Sequence, residues 1–167
     1  MRIHQRTSNS GQLGTWGETF GTSRPRAGAS ASAIAVPLER LWDAYELLLD
    51  VHREVRPGLI FALRFVQGSL GHLAFTRYDR TCVIELDGVD SRRTREFLSA
   101  AWGALEASDI PHTHHWGKIN RMTPATLQRS YGDVVARWRS ARDLLLPADV
   151  RRTFANAYTD AAGLTSP

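Results

Sequence analysis

At 167 residues, 43% of them apolar, the chain has the size of one ordinary domain and enough apolar side chains to bury a core, which argues against global disorder. No apolar run reaches the ~18 residues of a membrane helix, and a single cysteine, Cys82, excludes an internal disulfide. The net charge of +4 comes from scattered arginines interleaved with Asp and Glu, a pattern that disfavours nucleic-acid binding because no face gathers the basic side chains.

Residues 1–30 are rich in Gly, Ser, Thr and Arg and read as a linker-like, poorly ordered segment. Their start has no apolar core behind its positive charge, so it is not a secretory signal, and the default compartment is the cytoplasm. Gly11, Gly14 and Gly17 invite a phosphate-loop reading. No strand precedes them and no helix follows, so that reading fails its structural test.

One domain is expected over residues 31–167. Residues 32–36 are β-prone, and Pro37 suits a first helical position. Leu38, Leu41, Trp42, Tyr45, Leu48 and Leu49 then form one helical stripe, which Pro57-Gly58 ends. LIFALRFV, residues 59–66, reads as a strand. A glycine-punctuated link leads to a second strand, TCVIELDGV, residues 81–89. Ser91 can cap a helix that carries Phe97, Leu98, Ala101, Trp102 and Leu105 on one face. The chain extends again over residues 110–116. Thr123-Pro124 opens further helix through Leu127, Tyr131, Val134, Val135, Trp138 and Leu145, with a break near Gly132.

The order strand-helix-strand-strand-helix-strand predicts an α+β fold: a ferredoxin-like antiparallel sheet, both helices on one face, and a C-terminal helical tail. The other sheet face is expected to be open. Side chains alternate along strands. Phe61, Leu63 and Phe65, with Cys82, Ile84 and Leu86, belong under the helices, which leaves Arg64, Glu85 and Asp87 on the open face. Those three are either a surface ion-pair group or the polar floor of a ligand site.

The run HTHHWGKINR, residues 112–121, is dense in unusual side chains. His112 and His114 share a strand face and His115 points the other way. Zinc needs three or four convergent ligands, and the sequence does not supply that pattern, so no metal is expected. Lys118 is the only lysine in the chain. It follows Trp116-Gly117 just past a strand end, where a compact ammonium can meet an anionic or carbonyl oxygen.

HHWGK, residues 114–118, resembles the His-Trp-Gly-Lys motif of the aldonolactone and alditol oxidases, FAD-linked flavoproteins of vanillyl-alcohol-oxidase type that include D-arabinono-1,4-lactone oxidase. FANAYTDAAGL, residues 154–164, resembles their closing Phe-x-Asn-x-Tyr segment. LIFALRFV resembles the cap-domain strand that usually carries Glu-x-Arg, with Ala62 here in place of the Glu. The resemblance covers about residues 20–165 and corresponds to the C-terminal cap, or substrate, domain alone. It implies that FAD sits in a separate domain or subunit and that this truncated chain is inactive without it. It also implies oxidation of a sugar lactone or polyol CH–OH with hydride transfer to flavin. Carried over residue by residue, Lys118 and Arg64 are the catalytic pair. Arg64, Glu85 and Asp87 contact substrate, and His115, Lys118, Asn156 and Tyr158 face the cofactor. Glu85, on the adjoining strand, is the candidate to replace the missing acid. The alternative is a stand-alone ferredoxin-like module without enzymatic activity, which binds a ligand or forms a homodimer through the same sheet face.

Overall fold

The computed structural model describes residues 28–165. Most of the linker-like segment read over residues 1–30, and the glycines Gly11, Gly14 and Gly17, lie outside the described residues. In chain order the elements are β1 (Ala29–Pro37), a 3₁₀ turn (Leu38–Arg40), α1 (Leu41–Val55), β2 (Leu59–Gln67), β3 (Arg80–Val89), α2 (Arg92–Ala107), β4 (Thr113–His114), α3 (Pro124–Tyr131), α4 (Val134–Leu145), α5 (Ala148–Phe154) and α6 (Ala157–Ala161). The fold is α+β. Its four strands form one antiparallel sheet in the order β2-β3-β1-β4.

One face of the sheet carries the main core. Ile34 and Val36 of β1 and Cys82, Ile84 and Leu86 of β3 pack against Leu41, Ala44 and Leu48 of α1 and Phe97, Leu98, Ala101, Trp102 and Leu105 of α2. Phe61 and Leu63 of β2 close the margin. Burial of such side chains contributes about 1.5–3 kcal/mol each, the dominant favourable term. The α2 start follows from Ser91, whose hydroxyl accepts the Thr94 N–H at 3.2 Å.

Four local expectations are corrected. Phe65 shares the helix-side face of β2 with Phe61 and Leu63 but is not covered there; it is exposed and outside the core. Pro37 ends β1 rather than opening the α-helix, because Leu38–Arg40 makes a 3₁₀ turn first. Trp42 is not in the buried stripe. It is exposed, and Ala44 takes the inward position, since residues 41, 44 and 48 lie closest to the middle of the face that meets the sheet. The second sheet face is only partly open. Residues 68–79, between β2 and β3, fold back over it, and Phe75 packs on Ala33, Ala35 and Val83. The Thr113 hydroxyl donates to the Phe75 carbonyl at 2.6 Å and the Trp116 indole N–H to the Leu73 carbonyl at 2.9 Å.

Behind that loop lies a second, smaller core. Met122, Leu127, Tyr131, Val135, Ala162 and Leu164 are buried together, with Leu73, Trp116 and Trp138 packed against them. The break in the C-terminal helices falls at Gly132, whose φ of +56° lies in the left-handed region that favours glycine. Thr123 caps α3 by accepting the Thr126 N–H at 3.1 Å, and Pro124 follows in its first turn.

Candidate functional site

On the face away from α1 and α2, the sheet register sets out a small grid. Ile60, Asp87 and Ala31 share one rung; Ala62, Glu85 and Ala33 share the next; Arg64, Val83 and Ala35 share the third. Glu85 therefore stands between two alanines. Methyl groups on both sides leave its carboxylate reachable from two directions, and two cations use that room. Arg64 comes from the neighbouring rung, its Nε 2.9 Å from Glu85 Oε1 and its Nη2 3.1 Å from Oε2, a two-pronged guanidinium–carboxylate pair. Lys118 comes from beyond β1. Its Nζ lies 3.2 Å from Asp87 Oδ1 and 3.5 Å from Glu85 Oε1.

The four groups differ in accessibility. The Glu85 side chain is 14% exposed and that of Lys118 22%, while Arg64 remains 65% exposed. The Arg64 guanidinium, and then the Lys118 ammonium, hold the Glu85 carboxyl below its ordinary range against the opposing effect of burial. Two cations and two carboxylates leave the cluster with no net charge. Its donors are not exhausted. An ammonium has three N–H bonds, of which the two carboxylates occupy at most two, and a guanidinium has five, of which Glu85 takes two.

Lys118 is delivered by a tight turn. The Gly117 N–H donates to His115 Nδ1 at 3.0 Å, the Lys118 N–H to the His115 carbonyl at 3.3 Å, and the Ile119 N–H to the Ala31 carbonyl at 2.9 Å. The Asn120 amide clamps the same turn by donating to the carbonyls of His115 and Lys118, each at 3.0 Å. Neither Asn120 nor Phe75 stood out in the sequence. The Asn two residues after the lysine is the one available cue, because a short amide side chain commonly bonds nearby backbone.

The remaining site residues sit apart from the charge cluster. His115 rests edge-on against Phe75, ring centroids 4.8 Å apart, and shapes the turn through Nδ1. Tyr158 reaches the turn indirectly: its hydroxyl lies 3.0 Å from Asn120 Nδ2, and its ring meets Trp116 edge-on. Asn156 caps α6, accepting the N–H groups of Tyr158 and Thr159 at 3.0 Å each, so its side-chain oxygen is engaged within its own helix. His112 and His114 lie on the other face, buried, with rings 5.4 Å apart. Among the described residues no group of three or more His, Cys, Asp or Glu side chains is arranged to hold a metal ion. No helix of the described residues is long and apolar enough to cross a membrane.

No protein-family model matches this chain, and no curated protein matches it.

Proposed function

We propose that this chain is the cap, or substrate, domain of an FAD-dependent oxidoreductase that oxidises the CH–OH group of a sugar lactone or polyol. The strand order and antiparallel pairing support the finer description of the sheet as ferredoxin-like. The observation that carries the functional reading is the lysine of the His-Trp-Gly-Lys run. The single lysine of the chain is fixed between Glu85 and Asp87, beside the exposed Arg64, on the sheet face away from α1 and α2.

The residues fit an electron-rich ring edge or a substrate oxygen. Lys118 and Arg64 keep spare N–H donors directed by fixed carboxylate partners, a preorganised arrangement that stabilises negative charge without reorganisation. Flavin, when bound, supplies acceptance of the hydride from the substrate carbon. On this chain, Lys118 stabilises negative charge that develops at the reacting edge. Arg64 binds a substrate oxygen, and Glu85 and Asp87 hold both cations in place and accept from substrate hydroxyls. Glu85 lies directly across the ladder from Ala62, so an acid is present on the same rung as the Glu missing from the Glu-x-Arg pattern. Tyr158 and Asn120 act as positioning residues for the turn. Exposed Leu144, Leu145 and Phe154 offer apolar surface for a flavin-binding domain, supplied in the same or a separate polypeptide.

Anaerobic flavin reduction tests this. The chain co-expressed with the flavin domain of an aldonolactone or alditol oxidase is expected to give a yellow assembly that aldonolactones or polyols bleach. Lys118→Met should slow the bleaching by about 10²-fold, the usual cost of one preorganised donor. An assembly that no such substrate bleaches, or an unchanged rate in the variant, removes the reading.

A further inference from the structure

β2 is an edge strand with few of the usual guards: its one charged side chain, Arg64, is turned to Glu85 of β3. Its nine residues, LIFALRFVQ, contain no proline and no lysine, and among the described residues nothing pairs with its outer side. Three of its apolar side chains are exposed: Ile60 at 61%, Phe65 at 63% and Val66 at 38%. A long, largely apolar edge of this kind is a template for another strand. The backbone is set for one. Gly68 donates to the Asp79 carbonyl and Val89 to the Gly58 carbonyl, so the even-numbered residues of β2 bond to β3. By the alternation of an antiparallel ladder, Leu59, Phe61, Leu63, Phe65 and Gln67 direct their N–H and C=O groups outward.

The sequence of this edge complements itself. A two-fold axis through Leu63 places Leu63 opposite the partner's Leu63, Phe61 opposite the partner's Phe65, and Leu59 opposite the partner's Gln67. These are the residues whose backbone groups face outward, so each pair exchanges hydrogen bonds. Between them, Ile60 meets the partner's Val66 and Ala62 meets the partner's Arg64. All three exposed apolar side chains thus find an apolar mate on the same sheet face, and no two like charges are paired directly. Phe65 would extend an existing aromatic series, since Phe61 already packs edge-on with Tyr45, and Tyr45 with the exposed Trp42. The partner's Arg64 also falls on the rung of Glu85, with only the Ala62 methyl between them.

We propose that two copies of this chain join edge to edge through β2 in that register, forming a continuous eight-stranded antiparallel sheet. The two charge clusters then lie side by side across the axis, and each copy lends its Arg64 to the border of the other's site.

Sedimentation velocity of the full chain across micromolar concentrations tests the proposal, with two double variants to fix the register. Ile60 and Val66 are exposed, so neither double substitution disturbs the folding of the single chain. In Ile60→Lys/Val66→Lys each new ammonium faces another across the axis, and the dimer should dissociate. In Ile60→Lys/Val66→Glu each faces a carboxylate, and association should be about tenfold tighter or more than in the Lys/Lys chain, weakening with added salt. A wild-type chain that stays monomeric overturns the proposal. So does a dimer whose two double variants associate equally.

Discussion

His114 shows how far one side chain can be committed to neutrality. It has no solvent exposure, its two ring nitrogens have no partner, and its ring lies edge-on to Trp102 and His112. Burial, then the neighbouring His112, lowers its pKa to about 4. The unfolded chain takes up that proton near pH 6.5 and the folded chain does not. Stability is therefore complete above pH 6.5 and declines as pH falls toward 4, by roughly 3 kcal/mol from this group alone. Burial shifts His112 in the same direction. Urea midpoints taken from pH 7.5 to 4.5 should fall accordingly, and His114→Leu should flatten much of the slope; a wild-type midpoint constant over that span would refute the assignment. Alternation along a strand placed His112 and His114 on one face and His115 on the other, and that was readable. Their dryness was not, because it depends on α2 and α3 closing over β4.

Elements declare themselves where their signals are local. α2 is the clearest case: Ser91 as cap and an unbroken apolar face from Phe97 to Leu105 need no tertiary knowledge. Ser91→Ala should cost about 1 kcal/mol in a denaturant titration through the lost cap, and an unchanged midpoint would show that the Thr94 N–H finds another acceptor. α1 is less legible. Its periodicity admits Trp42 and Ala44 as rivals for the buried side, and a scan for large apolar residues chooses the tryptophan. The sheet chooses the alanine, because close approach of helix to strand needs a small side chain there. β4 is shorter than the extended run around it, since only Thr113 and His114 pair as ladder residues with β1 before the chain turns to present Lys118. Period-two reading put Arg64, Glu85 and Asp87 on one face. The flanking Ala33 and Ala62, which let two cations reach one carboxylate, emerge only from the register between strands.

At the scale of the molecule there is a main core on one sheet face and a smaller one beyond the other, and residues 68–79 join the smaller core to the sheet through Leu73 and Phe75. Hydrogen exchange should rank them. Amides of β1, β3 and α2 are expected to be slowest, and those of α5 and α6, neither of which buries a residue, to exchange before the other helices. Equal protection of α5 and α2 would contradict the division. The path of residues 68–79 could not have been read in advance: their glycines announced a turn, whereas the landing place of Phe75 was decided by a hollow lined with Ala33 and Ala35 on a distant strand. The cluster that Ala33 and Ala62 make room for has a practical corollary. Because all other basic side chains are arginine or histidine, gentle reductive methylation with ¹³C-formaldehyde would label one side chain and the α-amino group alone. The Lys118 methyl resonances would then form an isolated spectroscopic reporter, sensitive to whatever disturbs the two acids gripping that amine.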